Sequence, residues 1–123
     1  MSRDMSISVV ITTTNRVGFL KRAVESVINQ KVKPNEIVIV IDGESADTVN
    51  YIEEISKSIS FPVNYFETIN NVGGSEARNI GVSLSTSHLI ALMDDDDEWK
   101  ETKLEKQLAE IKKNKLSTTD TFL

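Results

Sequence analysis

The sequence contains no cysteine and a single histidine, His88. The absence of cysteine excludes disulfide bonds, thiolate zinc sites and cysteine nucleophiles, and it is compatible with a reducing compartment. One histidine cannot build a histidine-based metal site. No apolar run approaches the roughly 20 residues that span a bilayer, and the amino terminus shows no apolar signal segment. We therefore expect a cytoplasmic protein without a transmembrane segment.

The sequence also lacks a basic patch near its acidic residues. Its only basic-rich stretch, residues 100–115, also carries Glu101, Glu105 and Glu110 and is interpreted as a solvated helix face. The net charge of the sequence is −5, and five of its 19 acidic residues lie within residues 94–98. The acidity is therefore concentrated in one cluster rather than spread over the whole surface. Because no group of Lys and Arg accompanies these acids, we expect no nucleic-acid partner.

The pattern of apolar residues predicts alternating strands and helices within the 123-residue chain. The strands are predicted at residues 7–11, 37–41, 63–66 and 89–93. The helices are predicted at residues 20–28, at residues 49–59, from a Ser75 N-cap to Leu84, and from just after Trp99 to Ile111. This order predicts an α/β fold, an open and mostly parallel doubly wound sheet with helices on both faces. Residues 116–123 are interpreted as the approach to a further element.

For two of these elements the sequence also predicts which side chains are buried. Residues 37–41 are five consecutive β-branched residues, which is typical of a strand buried on both faces of a parallel sheet. In the third helix, the side chains predicted to face the sheet are Ala77, Ile80, Gly81 and Leu84. The small residues in this set favour a close approach of the helix to the sheet.

Polar residues follow three of the predicted strands, at residues 12–15, 42–45 and 94–97. The carboxyl ends of parallel strands share one edge of a sheet, where ligand crevices lie. The four consecutive aspartates at residues 94–97 repel one another, and a bound cation would relieve that repulsion. Oxygen-only ligands favour Mg²⁺, Mn²⁺ or Ca²⁺. A solvated acidic turn is the alternative.

A glycine-rich loop precedes the third helix. Gly73 and Gly74 lead into the helix, and its first amides could bind an anion. Arg78, one turn further on, is placed either to reach the same anion or to pair with an acidic side chain, and both interpretations stay open. A metal held between carboxylates and a diphosphate would make a coherent site for a nucleoside diphosphate ligand.

Four segments, in order along the chain, resemble the motifs of one family. They are VVITTTNR (residues 9–16), IVIVIDGES (residues 37–45), NVGGSEARNIG (residues 71–81) and LMDDDDEW (residues 92–99). Together they resemble the amino-terminal half of a family 2 glycosyltransferase with the Rossmann-like GT-A fold. Thr13 stands where that family usually has proline, and Ile41 stands where it usually has a second acid.

The resemblance implies roles for individual residues. Thr12 and Asp42 are expected to contact the nucleotide base, commonly uracil. The Asp-x-Asp pattern implies that Asp96 or Asp97 binds Mn²⁺ or Mg²⁺, with the register of the aspartate run left open. The full set of residues expected to bind the nucleotide sugar is Thr12, Asn15, Asp42, Gly74, Arg78, Asp94, Asp95 and Asp96.

The resemblance also implies a reaction and its partners. We expect a metal-dependent, inverting transfer of a sugar from a nucleotide diphosphate donor, UDP in particular, to a glycan or a lipid-linked acceptor. Contact with the inner face of the membrane would be peripheral. Residues 1–123 are interpreted as one truncated, donor-binding domain without catalytic residues of its own. The general base and the acceptor-binding part are expected beyond Leu123, and self-association is expected through the apolar face left exposed.

Three other functions are alternatives to this one. A non-catalytic nucleotide-binding module stays open as an alternative. A receiver-type phosphoacceptor domain is disfavoured because Thr12, rather than an acidic pair, follows the first strand. A nucleotidyltransferase is disfavoured because a basic glycine-rich loop is missing at the same position.

Overall fold

Within residues 5–114 and 121–122, which the computed structural model describes, five strands alternate with four helices. The strands are β1 (Ile7–Thr13), β2 (Glu36–Ile41), β3 (Val63–Glu67), β4 (Leu89–Asp94) and β5 (Thr121–Phe122). The helices are α1 (Val17–Ile28), α2 (Ala46–Ser56), α3 (Gly74–Leu84) and α4 (Lys103–Asn114). None of the helices in these ranges combines the length and apolarity needed to cross a membrane.

The strands form one sheet in the order β3-β2-β1-β4-β5, and every pairing is parallel. β1 lies in the centre, with Thr12 opposite Val40 of β2 and Asp94 of β4. The carboxyl ends of β1, β2 and β4 therefore finish side by side. The predicted parallel α/β sheet is confirmed, and β2 is buried along its whole length as its β-branched composition predicts.

One face of the sheet packs against α1, α2 and α4. Alternate residues of the central strands, such as Val9 and Ile39, form a core there with Leu20 of α1, Ile52 of α2 and Leu104 of α4. Because side chains alternate across a strand, the residues between them face the opposite side. This places the main hydrophobic core on one side of the sheet.

The opposite face carries α3. Val10, Val38 and Ile90 form a smaller cluster there. Gly81 lies so close to the sheet that an added Cβ would press into the side chain of Val10. The predicted close approach is confirmed at this glycine, which is buried like Ala77. The prediction for Leu84 is wrong, because its side chain is 46% exposed near the edge strand β3.

Several element boundaries differ from the predictions because tertiary contacts set them. β1 continues to Thr13 and β4 to Asp94, since the ladder between them extends into the polar residues. α2 begins at Ala46, after the Ser45 N-cap, and ends at Ser56, so Ile59 lies outside it. α4 begins at Lys103 rather than just after Trp99.

The start of α3 is also corrected. Ser75 lies inside the first turn, and the N-cap is Gly73, whose φ is +92° and which makes no side-chain capping bond. A positive φ favours glycine over serine at this position. At the other end of the chain, Thr121 and Phe122 pair with β4, while residues 116–120 and Leu123 of the predicted approach to another element lie outside the described residues.

Candidate functional site

A pocket of about 190 Å³ lies at the carboxyl ends of β1, β2 and β4, on the face of the sheet that carries α3. The β1–α1 loop, the amino-terminal turn of α3 and the loop after β4 complete its walls. The predicted site residues that line it are Thr12, Asp42, Gly74, Arg78, Asp94, Asp95 and Asp96. Parallel topology therefore brings together residues up to 84 positions apart in sequence (Thr12 to Asp96).

Three of the four consecutive aspartates converge on one point. One carboxylate oxygen from each of Asp94, Asp96 and Asp97 lies within 4.8 Å of the other two, and all three residues are exposed. We call these three residues the acidic cluster. An exposed set of carboxylate oxygens fits a hard divalent cation such as Mg²⁺ or Mn²⁺. Asp94 thus joins Asp96 and Asp97 as a candidate metal ligand.

Asp95 points away from the acidic cluster into the protein and is 2% exposed. Its carboxylate accepts hydrogen bonds from Thr13 Oγ1 at 2.7 Å and from Arg16 Nε at 3.1 Å, and it forms an ion pair with Arg16 Nη2. The hydrogen bond to Asp95 and the attraction between the two charges raise the pKa of the Arg16 guanidinium. Thr13 and Arg16 were not among the predicted site residues. Both lie in the segment of residues 9–16 that resembles a family motif, and the threonine at position 13, where the family usually has proline, was a further sequence signal.

Asp42 is 7% exposed and organises the loop that leads into α3. Its carboxylate accepts hydrogen bonds from the backbone amides of Val72 at 2.8 Å and Gly73 at 3.0 Å, and from the hydroxyl of Thr68 at 3.0 Å. These bonds, that from Val72 first, hold the pKa of Asp42 below its ordinary value although its partial burial acts in the opposite direction. Thr68, the first residue after β3, was not predicted as part of the site.

Arg78 and Asn15 occupy different positions relative to the pocket. Arg78 lines it, and its Nη1 lies 3.6 Å from Asp94 Oδ1. Of the two interpretations left open by the sequence, the structure therefore shows the pairing with an acid. Asn15 does not appear in the pocket wall. It adopts a φ of +46°, and its Oδ1 accepts a hydrogen bond from Ser45 Oγ, which joins the loops that follow β1 and β2.

Comparison with known proteins identifies the family. Residues 8–121 match the family described as Glycosyl transferase family 2. The chain therefore belongs to glycosyltransferase family 2, as its four sequence motifs predict.

Relatives among curated proteins are longer than this chain. It is 34% identical over 112 residues to an uncharacterized glycosyltransferase of Rickettsia bellii, which covers 91% of this chain and 16% of that protein. It is 31% identical over 113 residues to the amylovoran biosynthesis glycosyltransferase AmsB of Erwinia amylovora, covering 90% of this chain and 37% of AmsB. The chain spans only 16% to 18% of the three relatives from Rickettsia species.

Solved structures share the fold. S. aureus TarS superposes with a TM-score of 0.78 at 21% identity, covering 89% of this chain and 20% of TarS. A structure of TarS 1–349 in complex with UDP-GlcNAc gives a TM-score of 0.77 at 21% identity, covering 88% of this chain and 31% of that one. At this identity the likeness establishes the fold, which is that of a glycosyltransferase of the GT-A type.

Proposed function

We propose that this chain is the donor-binding part of a metal-dependent, inverting glycosyltransferase that uses a UDP-sugar. Membership of family 2 supports sugar transfer as the reaction class. The fold it shares with TarS, a protein with structures in complex with UDP and UDP-GlcNAc, supports a uridine nucleotide as the carrier. Transfer itself is assigned to the whole protein, since the relatives extend well beyond the part that this chain matches.

One observation carries the proposal: Asp94 and Asp96 of the acidic cluster line the same pocket as Arg78, and Asp97 converges with them on one point. A diphosphate carries negative charge, so three carboxylates beside it need a cation in between. The acidic cluster would hold Mn²⁺ or Mg²⁺. When bound, such an ion stabilises the charge that develops on the leaving diphosphate. The Arg78 guanidinium would bind the diphosphate through charge-assisted hydrogen bonds, together with the first amides of α3 at Gly74.

The nucleoside is proposed to lie toward the β1 and β2 side of the pocket. Thr12 and Asp42 both line the pocket there, at the ends of neighbouring strands. Asp42 Oδ1 accepts two hydrogen bonds and Oδ2 accepts one, so Oδ2 retains capacity for a ligand donor. The N–H of a uracil ring is a donor of the required kind. Asn15 would act indirectly, by holding the two loops together.

Inversion requires a general base that deprotonates the acceptor hydroxyl. Among the described residues, the acids that line the pocket are Asp42, Asp94, Asp95 and Asp96, and each has a proposed binding or structural role. We therefore assign the base, and the site for a glycan or lipid-linked acceptor, to residues beyond Leu123.

The exposed side chains Leu92 and Phe122, on the α3 face, are the surface proposed for self-association.

The proposal is tested by titrating the chain with UDP by isothermal titration calorimetry, with and without Mn²⁺. We expect binding that requires Mn²⁺ and that is lost in the double variant Asp96→Ala/Asp97→Ala. The control is Glu98→Ala/Glu101→Ala, which removes the same charge from two exposed neighbours outside the acidic cluster. If the affinity for UDP is the same with and without Mn²⁺ and is unchanged in Asp96→Ala/Asp97→Ala, the donor site is wrongly assigned.

A further inference from the structure

Gln30 is a polar residue that is completely buried, two positions after the last residue of α1. Both polar atoms of its side chain are hydrogen-bonded. Its Nε2 donates hydrogen bonds to the carbonyl oxygen of Ser26 at 3.1 Å and to that of Lys100 at 2.6 Å. Its Oε1 accepts a hydrogen bond from the backbone amide of Leu104 at 3.0 Å. One side chain thus joins the end of α1 to the segment that follows the acidic cluster.

The bond to Leu104 explains where α4 begins. The first amides of a helix have no partner within the helix, and the Gln30 oxygen satisfies one of them. A backbone bond from Lys31 to the carbonyl oxygen of Glu101, at 2.9 Å, strengthens the same connection. Because these groups are shielded from water, losing the Gln30 amide would leave the buried Leu104 amide without a partner.

The other end of the same segment is also fixed. Asp95 is held by Thr13 and Arg16, next to the start of α1. Residues 94–97 form a turn around Asp95, because Asp97 Oδ2 accepts from the Asp94 amide at 3.0 Å and the Asp97 amide donates to the Asp94 carbonyl at 3.0 Å. The exposed acids therefore lie on a short turn that is attached through Asp95 and followed by a second attachment at Lys100 and Leu104.

We propose that Gln30 is a positioning residue for the acidic cluster. By holding the segment at Lys100 and Leu104, it keeps the three carboxylates within reach of a single cation before the cation arrives. A site that is ordered in advance binds its cation more tightly, because less conformational entropy is lost on binding. This inference rests on the metal-binding role proposed for the acidic cluster.

A second buried network supplies a matched control. At the amino end of β2, Glu36 is 5% exposed, and its Oε2 accepts from Ser8 Oγ at 2.5 Å and from the Thr86 amide at 2.7 Å. This network also joins distant segments through a buried side chain. It lies at the opposite end of the strands from the pocket, so its loss should weaken the fold without disturbing the acidic cluster.

The test measures the Mn²⁺ affinity of the folded 123-residue chain, by calorimetry or by electron paramagnetic resonance of free Mn²⁺, together with urea denaturation. The variants are Gln30→Met, which keeps the volume but removes every side-chain hydrogen bond, and Gln30→Glu, which keeps an acceptor and replaces two N–H donors by at most one O–H donor. We expect the Mn²⁺ dissociation constant to rise about tenfold in both, as for residues that orient metal ligands. Ser8→Ala should lose stability and keep the dissociation constant of the parent.

The outcomes separate the two proposals. A parent chain that does not bind Mn²⁺ contradicts the proposed function itself. A parent that binds, with Gln30 variants that are less stable but bind equally well, overturns the positioning role alone and leaves Gln30 a structural residue. If Gln30→Met does not fold, the Mn²⁺ titration is repeated in sucrose, which favours the folded state without restoring the bond to Lys100.

Discussion

Arg16 is paired with the carboxylate of Asp95. The side chain of Asp95 therefore points into the protein, while the other three of the four consecutive aspartates stay exposed. The pair connects the residue just before α1 with the residue just after β4. Like charges on adjacent residues repel one another. The structure lowers that repulsion by giving Asp95 a cationic partner of its own.

Asp95→Asn tests the contribution of this pair to stability. The substitution removes a buried charge-assisted acceptor, so we expect the free energy of unfolding to fall by about 1–3 kcal/mol. Glu98→Gln changes the charge of an exposed acid three residues away and should alter the free energy of unfolding by less than about 0.5 kcal/mol. Urea denaturation at neutral pH measures both values. Equal stability of Asp95→Asn and the parent would mean that the pair contributes nothing to the fold.

Asp42 should make stability depend on pH in the acidic range. Its pKa in the folded chain lies below the ordinary value of 3.8, so the ionised carboxylate stabilises the fold above that value. The stabilisation is lost as the pH falls through the lower folded pKa. Between about pH 5 and pH 2 we therefore expect the free energy of unfolding to fall more steeply in the parent than in Asp42→Asn. Parallel curves from urea titrations across that range would contradict the assignment.

Gly81 and Gly18 form a matched pair for testing how closely α3 approaches the sheet. Gly81→Ala places a methyl group against Val10 and Val40, and we expect a net loss of about 1–2 kcal/mol from overpacking. Gly18 lies in α1 with nothing within 4 Å of an added Cβ, so Gly18→Ala should stabilise by about 0.5 kcal/mol. The two variants should shift the midpoint of thermal unfolding in opposite directions. A shift in the same direction would argue against the close contact.

Arg78→Gln should separate metal binding from nucleotide binding. Arg78 lies 3.6 Å from Asp94, where its charge competes with a bound cation. Without UDP, we expect Mn²⁺ to bind about two- to fivefold more tightly to the variant, because that competing charge is gone. With Mn²⁺ saturating, UDP should bind at least about tenfold more weakly, since a charge-assisted contact is lost. Arg22→Gln, on the exposed surface of α1, should leave both affinities unchanged. Two affinities that move together in Arg78→Gln would rule out this dual role.

Much of the sheet could be predicted because its strands are short apolar runs with polar residues at their ends. Residues 37–41, for example, are all β-branched and apolar, which is typical of a strand buried on both faces of a parallel sheet. The location of the site followed from the same pattern, since parallel strands bring their carboxyl ends to one edge.

Other features depended on contacts between residues far apart in sequence. Nothing near Asp95 indicates that its partner is Arg16, which lies 79 positions away. The start of α4 depends on the side chain of Gln30, 74 positions before Leu104. Serine is a common capping residue and therefore predicts an N-cap at Ser75, whereas the backbone requires the positive φ of Gly73.

The central position of β1 has a consequence for the order in which the protein can fold. Among the described strands β1 is synthesised before the others, yet it pairs with β4, whose Asp94 lies 82 positions after Thr12. At a synthesis rate of about 5–20 residues per second, the ribosome needs on the order of 10 s to make the residues between them. During that time the backbone N–H and C=O groups of β1 that pair with β4 have no partner strand. The nascent chain is therefore most prone to aggregation before β4 emerges, and it should depend most on chaperones in that interval.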